Sequence, residues 1–115
     1  MAKDKVIKYK KMVASIIDQF EYPKNPNKKI EILLIKDMER GHFLVFLDGW
    51  ESHQSRTYGF SVHLQVTDTG KIWIREDTTD PPIAQALLDK GVPKSDIILG
   101  YYAPTTRKDM GFAVA

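Results

Sequence analysis

The chain has 115 residues, of which 43% are hydrophobic and 28% are charged. This is the range of a single globular domain that buries roughly two thirds of the surface exposed by its unfolded chain. The absence of cysteine excludes disulfides, thiolate zinc sites and a cysteine nucleophile. The first residues are charged, and no apolar run approaches the roughly 20 residues that a membrane-spanning helix needs. We therefore expect one cytoplasmic domain over residues 1–115.

The net charge of +2 is unevenly distributed along the chain. Residues 1–29 hold eight lysines against three acidic residues, whereas the remainder holds nine basic and twelve acidic residues. This asymmetry allows the N-terminal lysines to contact nucleic acid or an acidic partner, and the alternative is an ordinary solvated helix face. The candidate nucleic-acid-binding residues are Lys3, Lys5, Lys8, Lys10 and Lys11.

The N-terminal segment has the apolar periodicity of a helix. Apolar residues recur at steps of three and four, which predicts an amphipathic helix over residues 4–21 with one buried stripe. The stripe comprises Val6, Tyr9, Val13, Ile16, Ile17 and Phe20. Tyr22–Pro23 is expected to end the helix, because the residue before a proline is pushed out of the α region, and residues 24–28 are expected to form a polar linker.

Residues 29–37 and 42–48 are rich in Ile, Leu, Val and Phe at both odd and even positions. Such two-sided apolarity predicts central strands that are covered on both faces. Helices on one side would leave the other side apolar, so we expect a homodimer or a tight hetero-complex. The residues it would bury are Trp73 with some of Leu33, Ile35 and Phe46.

A β-hairpin is predicted over residues 57–77. Residues 58–66 alternate apolar and polar side chains, which places one apolar set on a buried side, and Asp68-Thr69-Gly70 suits a three-residue loop that ends in positive φ. Pairing of Thr67 with Lys71 keeps the apolar sets of both strands on one side, whereas a two-residue loop would drive one set into water.

The polar side of this hairpin holds the best candidate site. The register places His63 opposite Arg75, Gln65 opposite Trp73 and Ser61 opposite Asp77. Arg75 suits a carboxylate, Trp73 suits a flat contact, and His63 titrates near neutral pH. The candidate partner-binding residues are His63, Gln65, Trp73, Arg75 and Asp77. The alternatives are a solvent-facing sheet surface with ordinary cross-strand pairs and a small enzyme centred on His63 and Arg75.

The second half of the chain predicts a short helix and a further strand. Asp80 stands before two prolines, which is typical of a helix start, and Gly91 suits a left-handed end, so a helix is predicted over residues 81–90. Residues 97–101 predict a strand, and the apolar residues 111–115 are expected to dock on the body. The predicted fold class is α+β: an antiparallel sheet with an N-terminal amphipathic helix and a second short helix packed on one face.

No recognisable reaction chemistry accompanies these elements. His42, His53 and His63 lack the spacing of metal ligands, and there is no Gly-rich phosphate loop, nucleophile elbow or dinucleotide fingerprint. The carboxylates at positions 76, 77 and 80 are expected to end a strand and to cap a helix. We therefore predict no catalytic, metal or cofactor site, and a role that is not enzymatic.

Several motifs resemble one known family along essentially the whole chain. They are DTGKIWIRED at 68–77, IAQALLDKGVPKSDIIL at 83–99 and GFAVA at 111–115, together with Asp48-Gly49-Trp50, Tyr58-Gly59, His63 and Arg107. In this combination the chain resembles XisI, the family called fdxN element excision controlling factors, which is known from cyanobacterial genome rearrangement.

The resemblance implies an accessory role in DNA rearrangement. XisI-like proteins support a site-specific recombinase in excising a DNA element, and they are associated with XisH, a companion that looks like a nuclease-fold protein. We therefore expect a controlling factor that contacts an XisH-like protein within a recombinase system. Direct DNA binding through the N-terminal lysines is the alternative.

Overall fold

The computed structural model describes residues 2–21 and 29–115. Helix α1 spans Ala2–Asp18 and continues as a 3₁₀ turn over Gln19–Glu21, which confirms the helix predicted over residues 4–21. Val13 and Ile17 of its apolar stripe are completely buried. The predicted helix end at Tyr22–Pro23 and the predicted linker lie outside the described residues. No helix within the described ranges is long and apolar enough to cross a membrane.

In the part of the chain that the structure describes, five strands form one sheet in the order β1-β2-β3-β4-β5. The strands are β1 Lys29–Asp37, β2 His42–Ser52, β3 Ser55–Val66, β4 Ile72–Asp77 and β5 Ile97–Leu99. The α+β class is confirmed, but the sheet is not wholly antiparallel, because β5 runs parallel to β4. Helix α2, Ile83–Asp89, lies in the connection between them, and a crossover of this kind brings the chain back to the same end of the sheet.

The loop between β3 and β4 has the predicted register. The Thr67 N–H donates to the Lys71 carbonyl over 2.9 Å, and Gly70 has a φ of +81°. Leu64 pairs with Ile74, and both side chains are completely buried. The three-residue loop inferred from parity is therefore confirmed.

Beyond Leu64 the predicted pairs are wrong, because β4 carries a bulge. His63 pairs with Glu76 rather than with Arg75, and Asp77 pairs with Val62 rather than with Ser61. A bulge places two residues of one strand against one residue of the other, and side-chain alternation does not reveal it.

Asp77, rather than Asp80, accepts the first N–H of helix α2, which was not the predicted arrangement. The Ile83 N–H donates to Asp77 Oδ2 over 2.8 Å, and the Thr79 N–H donates to Asp77 Oδ1 over 2.8 Å. Pro82 precedes the helix and makes no side-chain cap. Because residues 81 and 82 are prolines without N–H groups, the first donor available at this end belongs to Ile83. The prediction that Asp80 caps the helix is therefore wrong.

The end of α2 agrees with the sequence. Gly91 has a φ of +91°, its N–H donates to the Leu88 carbonyl over 3.0 Å, and the Val92 N–H donates to the Leu87 carbonyl over 3.0 Å. This pair of bonds satisfies the last carbonyls of the helix and folds Val92 back into the core.

The main core lies between helices α1 and α2 and one face of the sheet, which we call the helix face. Its largest fully buried side chains include Phe43, Ile17, Leu64, Ile72, Ile74, Leu87 and Ile97. The buried carboxylate of Asp96 joins α1 to the segment before β5: the Tyr9 hydroxyl donates to Oδ2 over 2.6 Å, and Lys5 Nζ lies 2.8 Å from the same oxygen.

The charges around Asp96 favour its ionised form. Burial alone would raise its pKa, but the hydrogen bonds from Lys5 and Tyr9, with the charges of Lys5 and Lys71, outweigh burial and hold the pKa below its usual value. Burial, followed by the hydrogen bond to Asp96 and its charge, raises the pKa of Tyr9. The cluster therefore holds the first helix against the sheet by a charged contact.

The prediction that β1 is a central strand is wrong. In the described sheet β1 is an edge strand, and Leu33 and Ile35 are 37% and 44% exposed. The C-terminal residues do dock as predicted, since the Ala113 N–H donates to the carbonyls of Lys94 and Ile97 over 3.1 and 3.0 Å. They lie along β5, so that its Ile98 is completely buried.

Candidate functional site

The candidate site lies on the side of the sheet turned away from the helices, which we call the open face. Neighbouring residues in a strand point to opposite sides, and paired residues of antiparallel strands point to the same side. Val45 is buried on the helix face, so Phe46 points to the open face, and its partner Phe60 does the same. The pairs Asp48–Tyr58 and Trp50–Arg56 continue this side toward the end of the β2–β3 hairpin.

Tyr58 and Phe60 were expected on the buried side with Val62, and this prediction is wrong. The register shifts by one residue between Val45 and Phe46, which leaves Ser61 as an extra residue in β3. A bulge of this kind reverses the side to which the following positions point. As a result Val62 is completely buried, while Tyr58 and Phe60 are 66% and 52% exposed.

The exposed aromatic residues of the open face contact one another. The Phe46 ring meets those of Tyr58 and Phe60 edge to face, with centroids 4.6 and 4.9 Å apart. The Arg56 guanidinium lies 4.8 Å from the Tyr58 centroid and 5.2 Å from that of Trp50. We call Phe46, Trp50, Arg56, Tyr58 and Phe60 the aromatic row. These edge-to-face ring contacts and guanidinium–ring contacts are favourable, so they stabilise the arrangement of the side chains in the aromatic row.

Two histidines stand beside the aromatic row. His42 Nδ1 and His63 Nε2 are 3.0 Å apart, and the Phe60 centroid is 6.3 Å from that of His63. Burial, followed by the positive charges of His42 and Arg75, lowers the pKa of His63. A hydrogen bond between two imidazoles requires one nitrogen without a proton, so at least one of the two rings is neutral, and the lowered pKa of His63 favours the neutral form of that ring.

The polar constellation predicted on the hairpin is partly assembled. Gln65 pairs with Trp73 as predicted, and Arg75 Nε donates to Gln65 Oε1 over 2.8 Å. His63 also lies on this face. Asp77 instead accepts a hydrogen bond at the start of α2 and is not part of the polar constellation on the open face. The open face therefore brings together four of the five candidate residues: His63, Gln65, Trp73 and Arg75.

Trp73 also has a structural task that the sequence did not indicate. Arg75 and Arg107 lie over its ring, with guanidinium carbons 4.9 and 5.1 Å from the centroid. Arg107 donates to the carbonyl of Tyr102 over 2.9 Å, and a side chain at Gly100 would come within 2.9 Å of the indole. The indole thus helps to fix the C-terminal segment to the sheet.

The five N-terminal lysines divide into two groups. Lys5 pairs with Asp96, and Lys10 Nζ donates to the Glu39 carbonyl over 3.3 Å. The side chains of Lys3, Lys8 and Lys11 are exposed. No group of three or more His, Asp or Glu residues in the described ranges could hold a metal ion.

The fold and the open face together define an α+β domain whose sheet is covered by helices on one side and presents aromatic side chains on the other. The chain belongs to the XisI protein family, whose profile matches residues 3–114, and the predicted family is therefore confirmed.

Two solved structures support this membership. An XisI-like protein from Anabaena variabilis is 33% identical, with a TM-score of 0.86, and the match covers 96% of this chain and 99% of that one. The fdxN element excision controlling factor XisI from the same organism is 32% identical, with a TM-score of 0.83 and the same coverage. No curated protein is detectably similar to the chain.

Proposed function

We propose that the chain is an accessory factor that controls the excision of a DNA element, and that it acts by protein contact rather than by catalysis. The open face is its binding surface, and an XisH-like protein is its partner. Family membership and the similar structure of an fdxN element excision controlling factor support the excision role. The predicted association of XisI-like proteins with XisH supports the choice of partner.

The observation that carries the proposal is the exposure of the aromatic row. Trp50, Tyr58 and Phe60 are 47%, 66% and 52% exposed on one contiguous side of the sheet. Contiguous apolar patches on a monomer are uncommon unless another molecule covers them. Aromatic residues and arginine are also the types most enriched in the centre of protein interfaces.

The chemistry of the open face indicates the kind of contact. The aromatic row offers flat apolar area to aliphatic or aromatic side chains of the partner. Arg75 is exposed, and its Nε–H donates a hydrogen bond to Gln65. Its two terminal nitrogens can therefore bind a carboxylate of the partner. The pair of histidines lies between these two features and adds imidazole nitrogens that can form hydrogen bonds with the partner.

The test is a calorimetric titration of an XisH-like partner against the native chain and matched variants. Arg75→Ala should raise the dissociation constant about 30-fold, which corresponds to about 2 kcal/mol. His63→Ala should give a smaller rise, and Lys11→Ala, on the exposed side of α1, should give none. Unchanged affinity in both open-face variants would overturn the proposal. Trp73→Ala is a less specific probe, because the C-terminal segment rests on that indole.

A further inference from the structure

Strand β1 offers a long, open edge. It pairs with β2 over all nine residues Lys29–Asp37 without a register shift, and within residues 2–21 and 29–115 no strand pairs with its other edge. Exposed edges present unpaired N–H and C=O groups, and proteins usually protect them with proline, bulges or several charges. In β1 the charges of Lys29, Lys36 and Asp37 lie at the two ends, Glu31 is the only charge within residues 30–35, and there is no proline. The free edge of β1 can therefore form backbone hydrogen bonds with a further strand.

Aliphatic side chains are exposed on both sides of this edge. Ile32 points to the helix face and is 39% exposed, while Leu33 and Ile35 point to the open face and are 37% and 44% exposed. An added strand with apolar residues at consecutive positions would cover both sides at once. The sequence of β1, KIEILLIKD, has this property itself.

We propose that β1 pairs with β1 of a second copy of the chain, antiparallel and around a two-fold axis at Leu33. Leu33 is the midpoint of the strand, so this register uses all nine residues and sets Ile32 against Leu34 of the second copy. A register centred on Leu34 would set Glu31 against Asp37, and like charges directly opposite each other are destabilising. The avoidance of like charges and the use of the full strand length therefore both favour the register centred on Leu33.

The pairing would join two five-stranded sheets into one continuous sheet. Both open faces would then lie on the same side of that sheet, because residues paired across the new ladder point to the same side. The dimer would present two aromatic rows related by the two-fold axis. The inference rests on β1 alone and does not require that the partner-binding proposal is correct.

A cysteine scan tests the register directly, because the chain has no cysteine of its own. In Leu33→Cys the two introduced side chains would face each other across the axis, with Cα atoms about 4.5–5.5 Å apart, which suits a disulfide. Ile35→Cys is the matched control on the same strand and the same face. Its two copies would lie four residues apart along the strands, about 13 Å, which is too far for a disulfide.

Under mild oxidation, Leu33→Cys should form a covalent dimer at least about tenfold faster than Ile35→Cys, since only its Cα separation suits a disulfide. Light scattering of the unmodified chain should give twice the mass of 13.2 kDa, and this readout requires no variant. Equal rates for the two variants, or a monomer over about a hundredfold range of concentration, would overturn the proposal. Partner binding at Arg75, which lies in β4, three strands away from β1, could still be intact in either case.

Discussion

The two faces of the sheet use the same residue type in opposite ways. Phe43 of β2 is completely buried on the helix face, whereas Phe60 of β3 is 52% exposed on the open face. The first side chain belongs to the packed core beneath α1 and α2. The second stands in a row of exposed aromatic rings. Only part of the apolar content of these strands is therefore buried in the core, and the remainder is exposed on the open face, where we propose that the partner binds.

The largest expected effect is the difference between two matched truncations. Phe43→Ala should lower the free energy of unfolding by about 3–5 kcal/mol, because it opens a cavity in a packed core. Phe60→Ala should lower it by less than about 1 kcal/mol, since half of that side chain is already in water. Urea denaturation of both variants measures the difference. Equal losses would contradict the division between the faces.

The next effect concerns the charged contact beneath α1. Asp96→Asn should lower the free energy of unfolding by about 2–3 kcal/mol, because the hydrogen bonds from Lys5 and Tyr9 lose their charged acceptor. Asp109→Asn, at an exposed position near the C-terminus, is the control and should have little effect. A loss as large in the control would show that the measured effect does not come from the buried cluster.

The pH dependence of this contact has a definite sign. The pKa of Asp96 is lower in the folded chain than in the unfolded chain, so its contribution is complete above the unfolded value of about 3.9 and is lost as the pH falls through the folded value. The gap in stability between the native chain and Asp96→Asn should therefore shrink in acid. A gap that grows as the pH falls would contradict the proposed charge state.

A smaller effect separates two glycines, one beneath α1 and one in the open part of β3. Gly70 has a φ of +81°, and an added Cβ would lie 3.0 Å from Lys5 Cδ. Gly70→Ala should therefore lower the free energy of unfolding by about 1–2 kcal/mol. Gly59→Ala would meet nothing within 4 Å, and its effect should be within about 0.5 kcal/mol. Thermal melting of both variants measures the contrast, and an unaffected Gly70→Ala would contradict the required backbone conformation.

The smallest expected effect is that of the exposed lysines of α1. The double variant Lys8→Ala with Lys11→Ala should keep its affinity for the XisH-like partner, because both lysines lie away from the open face. If the chain bound duplex DNA through these residues, their removal would reduce the dependence of log affinity on log salt by about 2. DNA binding at low salt that disappears in the double variant would favour the alternative function.

The parts of the fold that depend on local chemistry could be predicted from the sequence. The stripe of α1, the three-residue loop at Gly70 and the left-handed end of α2 at Gly91 follow from periodicity, loop geometry and positive φ. Each of these features depends on a few residues that are close in sequence, so packing against distant segments does not change the local structure.

The bulges at Ser61 and Arg75 and the edge position of β1 could not be predicted. A single extra residue reverses the side to which every following residue points, and it leaves no mark in the alternation. The sequence therefore placed Tyr58 and Phe60 in the core and Asp77 on the open face. Strand order depends on contacts between distant segments, so two-sided apolarity in residues 29–37 predicts a central strand where the structure has an edge strand.

The most direct test of the open face as a binding surface is the dissociation constant of the XisH-like partner for the double variant Tyr58→Ala with Phe60→Ala. Ile7→Ala, an exposed apolar residue of α1, is the matched control. We expect the double variant to bind at least about 100-fold more weakly, since it removes two central aromatic contacts, while its melting temperature stays close to that of the native chain. An unchanged dissociation constant in a folded double variant would contradict the proposal that the open face binds the partner.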